Sequence, residues 1–295
     1  MTSLLDEFKY SFKKRDNGLM QIIVINIAVF VVMGILKVFS FMAQDMRVFD
    51  FIMRQMALSS NIMTAVTKPW TIFTYFFTHS LSSIFHILFN MLFLYWFGRL
   101  IMEYLGHRRL VNLYIVGGVV AGLLFIALYN ILPVFADAAP HAKLIGASGS
   151  VYAIVVAAAT LLPEYRFHLI FLGPVKIAYI AGFFIFISFL GMAGENAGGN
   201  IAHLGGALIG FLYIKQLKKG TDLGKPVSIV ANWIQKLFRP RHLKVSYRNN
   251  TSKSRSKVPD EQEIDAILDK ISVSGYESLT QLEKEKLFKA SQQNK

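Results

Sequence analysis

Cysteine is absent from this 295-residue chain. That excludes disulfides, a thiol nucleophile and cysteine-ligated zinc, and it leaves the redox compartment open. Charge is also scarce, at 17% of residues, while 54% are apolar and 14% aromatic. A soluble domain of this size carries about 25% charged residues, so composition points to the membrane class. Any catalysis must come from hydroxyls, histidines or carboxylates. The formal net charge is +13, with most of the excess after residue 214. No small-residue cleavage site follows the apolar run that begins after Lys9, Lys13, Lys14 and Arg15, so that run reads as a retained first span and not as a signal peptide.

A bilayer-spanning helix needs about 20 apolar residues. Six such stretches lie near residues 19–42, 84–105, 110–133, 147–162, 169–192 and 201–217, which predicts an all-α, polytopic membrane protein. The fourth is short, roughly 24 Å at 1.5 Å per residue, and the sixth is rich in glycine, so both belong inside the bundle. Cytoplasmic loops carry the lysine and arginine excess. Lys9 to Arg15, Arg108 with Arg109, Arg166, and Lys215 with Lys218 and Lys219 fall in every second connection, which predicts cytoplasmic N and C termini. In a bacterium this topology would place the protein in the inner membrane. The other connections face outside.

Four segments follow: a cytoplasmic stretch at 1–18, a six-span domain at 19–217, a basic linker at 218–259 and a small helical hairpin at 260–295. Lys236, Arg239, Arg241, Lys244 and Arg248 are placed to touch anionic headgroups, each worth on the order of 1 kcal/mol. No accompanying fold supports a nucleic-acid partner. In the hairpin, Ile264, Ile267, Leu268 and Ile271 repeat at helical spacing. A second helix begins at Thr280, with Glu283 placed for a capping box.

The string Gly146-Ala147-Ser148-Gly149 opens the fourth span. Alone it is a weak signal that equally describes a small-residue helix contact. Yet Ser148 falls in the first turn of a helix, where free amides and the dipole favour an oxyanion. His203 opens the sixth span, and an ionisable group there costs a few kcal/mol unless paired or hydrated. The second, fourth and sixth spans run in the same direction, so Ser148 and His203 enter from one side at similar depth. Gly206 and Gly210 make a small-xxx-small face that allows a close approach for a serine–histidine hydrogen bond. Tyr152, four residues after Ser148, shares its face and can stack on the imidazole. No carboxylate is placed to complete a triad, so a dyad is the simpler inference. His86 and Asn90, at i and i+4, present a polar face near the outer end of the second span and can donate to an oxyanion together with the Ser148 amide. A metal site on His79, His86 and His203 lacks a carboxylate base and the His-Glu-x-x-His spacing; neither metal nor cofactor is expected.

On these residues the chain resembles the rhomboid family of intramembrane serine proteases. The resemblance rests on Gly146 to Gly149 with Tyr152, on Ala202-His203-Leu204-Gly205-Gly206 through Gly210, and on His86 to Asn90. It implies a six-helix rhomboid-like bundle with a cytoplasmic C-terminal extension. It also implies an outward-opening, water-filled site, a Ser148 and His203 dyad, and an oxyanion site that includes His86 and Asn90. The expected partners are transmembrane protein substrates and the lipid bilayer; oligomeric state is not indicated. Glu103 with Gly106 matches the family's glutamate beside a glycine. Two positions depart from the family pattern. Trp70-Thr71 stands where the family often has Trp-Arg, and Leu81 where it often has a further histidine.

Overall fold

The computed structural model describes residues 17–169, 172–238 and 261–291. The basic residues Lys9 to Arg15, and Arg239, Arg241, Lys244 and Arg248 of the linker, lie outside the described residues. The chain divides into two compact units, residues 1–239 and 240–295.

In the first unit, helices form at the six predicted places. Four are long and apolar enough to cross a membrane: α1 (Gly18–Met42), α5 (Ile84–Leu105), α6 (His107–Ile131) and α9 (Ala197–Lys218). Two are shorter, α7 (Ser148–Leu161) and α8 (Ile177–Gly191). Between α1 and α5 lie the short helices α2 (Arg47–Met56), α3 (Ile62–Thr67) and α4 (Thr71–Thr74). At 14 residues, α7 rises only about 21 Å, less than the roughly 30 Å of a hydrocarbon core. It runs through the middle of the bundle, and Gly149, Val151 and every residue from Ala153 to Ala159 are buried. A helix enclosed by protein need not match the lipid thickness.

The fifth span differs from the expectation. Residues Arg166–Leu169 (β3) and Gly173–Lys176 (β4) form an antiparallel hairpin, so the helix starts at Ile177 instead of near residue 169. The reason is local: Gly173 has φ +67°, which a side-chain-bearing residue rarely adopts, and Pro174 cannot donate within a helix turn. The Lys176 ammonium meets Glu164 at 2.6 Å and closes the hairpin base. A second pairing, Leu58–Ser59 (β1) with Lys143–Leu144 (β2), ties the long loop after α1 to the loop before α7.

Residues 225–238, which composition places in a linker, form a further helix, α10 (Lys225–Phe238). The second unit holds α11 (Glu261–Ser274) and α12 (Gln281–Ser291). There the Thr280 amide donates to Glu283 Oε2 at 2.7 Å, Thr280 Oγ1 to the same oxygen at 2.8 Å, and the Glu283 amide back to Thr280 Oγ1 at 3.4 Å. This is the reciprocal capping box. Those bonds, led by the Thr280 amide and joined by Lys270, push the Glu283 carboxyl down to about 2.

Candidate active site

Close packing of small residues sets the site's frame. A Cβ on Gly206 would collide with the Gly149 carbonyl, and one on Gly210 with the Ala153 carbonyl. Gly149 is itself pressed against Ala121, whose Cβ would lie 2.6 Å from an added Cβ. The α7 and α9 backbones therefore touch without intervening side chains, as small-xxx-small faces permit.

Ser148 is the first residue of α7, after Ala147 as N-cap. First-turn amides have no acceptor within their own helix, so those of Ser148 and Gly149 are free to face a ligand. The approach to this turn depends on Gly146, whose φ is +123°. A Cβ there would sit 3.0 Å from His86 Cε1, 3.1 Å from His86 Nε2 and 3.8 Å from Ser148 Oγ. Gly146 thus leaves room for the His86 ring beside the serine hydroxyl. Its amide donates to the Tyr75 carbonyl at 3.0 Å, which holds the loop in place.

His203 lies seven residues into α9, where two contacts fix its ring. Tyr152 stacks on it with centroids 4.2 Å apart and planes 7° apart. Ser188 Oγ, from α8, lies 3.1 Å from His203 Nδ1 and donates to the Tyr152 hydroxyl at 2.8 Å. Ser188 is the residue that sequence reasoning missed, and a signal existed: it is the sole hydroxyl in Phe183-Phe184-Ile185-Phe186-Ile187-Ser188-Phe189-Leu190, and a polar group in such a helix needs a partner.

The serine–histidine hydrogen bond expected from sequence is not made: among the described residues, Ser148 Oγ has no bond to His203. The two side chains instead line one cavity of about 590 Å³, together with Tyr152, His86 and Asn90. Loop residues Ser80, Ser83, Lys143 and Asn196 also line it, so its polar rim lies at the end of the bundle where α5, α7 and α9 begin. Catalytic hydrogen bonds are often long before substrate binds. Asn90 is 6% exposed and donates to the His86 carbonyl at 2.7 Å, which leaves the second N–H of its amide for another acceptor.

His79 also belongs to this wall. It is 1% exposed, accepts from the Ala147 amide at 3.4 Å and meets His86 edge-on at 5.4 Å. It braces the turn before Ser148. Leu81 instead packs toward α1, 4.0 Å from where a Cβ on Gly34 would stand. Trp70 Nε1 donates to the Gln55 carbonyl at 2.9 Å and Thr71 Oγ1 to Lys68 at 2.7 Å, so these two positions order the loop after α1 without an arginine. Gly106, between α5 and α6, has φ +84°, while Glu103 is exposed.

The family model of the Rhomboid domain matches residues 66–219, just over half of the chain and the whole of this site. The chain belongs to the rhomboid family. It is therefore an integral membrane protein of an intramembrane protease family. A second model, described as a family of unknown function, matches residues 253–293, which covers α11 and α12 of this rhomboid. A search of the curated proteins gave no match.

Proposed function

We propose that this rhomboid is a serine endopeptidase that hydrolyses peptide bonds in or near the transmembrane segments of other membrane proteins, with Ser148 as nucleophile and His203 as its base. The observation that carries this reading is the shared cavity, in which the Ser148 hydroxyl and a clamped His203 imidazole face the same space. The bond directions around Ser188 support it further. A serine hydroxyl has one proton, and Ser188 gives its own to Tyr152. An imidazole protonated at Nδ1 fits this arrangement, donating to Ser188 and keeping the lone pair on Nε2. That is the tautomer a general base needs. Ser188 is thus a positioning residue, filling the orienting role that a carboxylate has in a triad.

In the proposed reaction, neutral His203 takes the Ser148 proton through Nε2 as Oγ attacks the scissile carbonyl carbon. Rotation of the Ser148 side chain toward Nε2 precedes this step. The tetrahedral oxyanion forms between the first-turn amides of α7, His86 and the free N–H of Asn90, where a single donor is typically worth about 3 kcal/mol. His203 then protonates the leaving amine. Water, deprotonated by the same imidazole, attacks the acyl carbon, the bond to Ser148 Oγ breaks as His203 returns the proton to that oxygen, and the second product leaves as the acid. None of these steps draws on a metal or cofactor. The substrate's helix must unwind locally, because a hydrogen-bonded helical backbone hides its carbonyls. The charge pattern supports cytoplasmic termini, with the cavity opening to the other side.

The test is cleavage of a model single-span substrate in detergent by wild type, Ser148→Ala and His203→Ala, with thermal unfolding as a check on folding. Each substitution is expected to lower kcat/KM by at least about 10³-fold and to leave the midpoint in place. Equal cleavage by all three folded proteins would sink the proposal.

A further inference from the structure

The helix α10 leaves the membrane bundle at the end opposite the cavity, and its two faces have opposite characters. Ile229, Val230, Trp233 and Ile234 lie on one side and are 60%, 55%, 61% and 44% exposed. Ser228, Asn232 and Gln235 lie on the other, with Lys236 at the boundary beside Ile229, by the 100° advance per residue of an α-helix. Among the described residues, the helix meets the protein only at its first turn: Asn112 Nδ2, near the start of α6, donates to Ser228 Oγ at 2.7 Å, and Val227 and Ser228 are half-buried. From residue 229 to 236 every side chain is exposed, so the bundle leaves the apolar side uncovered.

The helix is also held in place at its root. In the connection from α9, Asp222 Oδ1 accepts from the Tyr213 hydroxyl at 2.9 Å and from the Gly224 amide at 2.8 Å. Asp222 Oδ2 lies 3.6 Å from Arg109 Nε. Gly224 fits so closely that a Cβ on it would be 2.6 Å from Asn112 Cβ and 2.7 Å from the Tyr213 hydroxyl. Residues from α6, α9 and the connecting turn thus converge on one carboxylate and set the direction in which α10 departs.

We propose that α10 is an interfacial anchor, lying in the plane of the adjacent leaflet with Ile229, Val230, Trp233 and Ile234 among the acyl chains of anionic lipid. Three observations favour lipid as the occupant. The helix is continuous, through a six-residue turn, with a membrane-spanning helix, and Asn112 fixes its height within a turn and a half of the start of α6. An amphipathic helix with a tryptophan on its apolar face sits in the interface between headgroups and acyl chains. The same end of the bundle exposes Arg108, Lys215, Lys218 and Lys219, and Lys225 and Lys236 add to that rim, which complements anionic headgroups. The anchor stands apart from the protease reading and holds whether or not Ser148 is a nucleophile.

The chain has no cysteine, so single substitutions can be labelled in the full-length protein. Val230→Cys, Ile234→Cys and Asn232→Cys would each carry a nitroxide in nanodiscs of phosphatidylglycerol or of phosphatidylcholine, and collision rates with oxygen and with a water-soluble nickel chelate would be compared. In phosphatidylglycerol the oxygen-to-nickel ratio at positions 230 and 234 is expected to exceed that at 232 by about fivefold, and to fall about twofold in phosphatidylcholine. Equal access of nickel to all three positions would show a water-facing helix and overturn the proposal. So would exclusion of both reagents from 230 and 234, which would mean that protein covers this face. Equal ratios in the two lipids would overturn the preference for anionic headgroups.

Discussion

The helix carrying Ser148 has two unlike sides. Toward α9 it meets glycine and alanine, with carbonyls where side chains would otherwise stand. Toward α5 and α8 it meets rings: Tyr152 lies 6.1 Å from Phe184, and Phe184 lies 5.1 Å from Phe93 across the gap between those helices. Beyond them a second cavity of about 610 Å³ is walled by Phe93, Trp96, Phe167, Tyr179 and Phe183. A backbone-to-backbone contact has no slack, because any added atom lands on a carbonyl. A ring-to-ring contact can slide or rotate. The contrast teaches that the distance between the α7 and α9 backbones, which sets where Ser148 and His203 can meet, is fixed by the absence of side chains, while the opposite side of α7 is free to adjust.

Substitutions can break this contrast, beginning with the largest expected effect. Gly206→Leu forces a branched side chain onto the Gly149 carbonyl. Overpacking should destabilise the protein by about 3 kcal/mol or more, read by denaturant unfolding in micelles, and abolish cleavage. Gly182→Leu is the counterpart on α8, where an added Cβ meets nothing within 4 Å; its change should stay within about 0.5 kcal/mol. Similar losses from both would mean that the α7–α9 seam is not special.

Next in size is Ser188→Ala, which leaves the His203 stack on Tyr152 but removes the acceptor for Nδ1–H. Cleavage should fall about tenfold through kcat, with KM unchanged and a shifted pH profile, and Ser188→Thr should restore most of it. A drop in KM and kcat together, with a lower unfolding midpoint, would instead assign Ser188 a packing role. On the aromatic side, a double-mutant cycle on Phe93→Ala and Phe184→Ala should give a coupling of only about 1 kcal/mol. A coupling as large as the Gly206→Leu effect would erase the difference between the two sides.

The smallest effect lies away from both sides, at the capping box of the second unit. The ordinary glutamate value is 4.5 and the folded one about 2. A depressed carboxyl contributes stability that is present above 4.5 and lost as pH falls through about 2. Protection of the Thr280 amide, measured against the exchange rate of an unstructured peptide at the same pH, should therefore fall between those values, and Glu283→Gln should remove that change in protection.

Much of the architecture was legible because it rests on periodicity and composition. Long apolar runs found the helices, and the small residues at 206 and 210 announced a close helix contact. The hairpin at 166–176 was hidden because Leu169 to Lys176 is as apolar as a span, and only Gly173 and Pro174 argue otherwise. The helix α10 was hidden by the basic residues around it, which drew attention to charge and away from the apolar spacing at 229, 230, 233 and 234. Ser188 was hidden because a lone hydroxyl among phenylalanines has no partner within its own segment.

Sequence alone determined that this is a helical membrane protein, that Ser148 opens a helix and that His203 needs a partner. Each follows from local chemistry: transfer from water, helix ends and the cost of a polar group in lipid. Tertiary structure decided who the partners are. Ser188 and Tyr152 hold His203, Gly146 makes room for His86, and Asp222 directs α10, because each of these contacts joins segments that only packing brings within bonding distance.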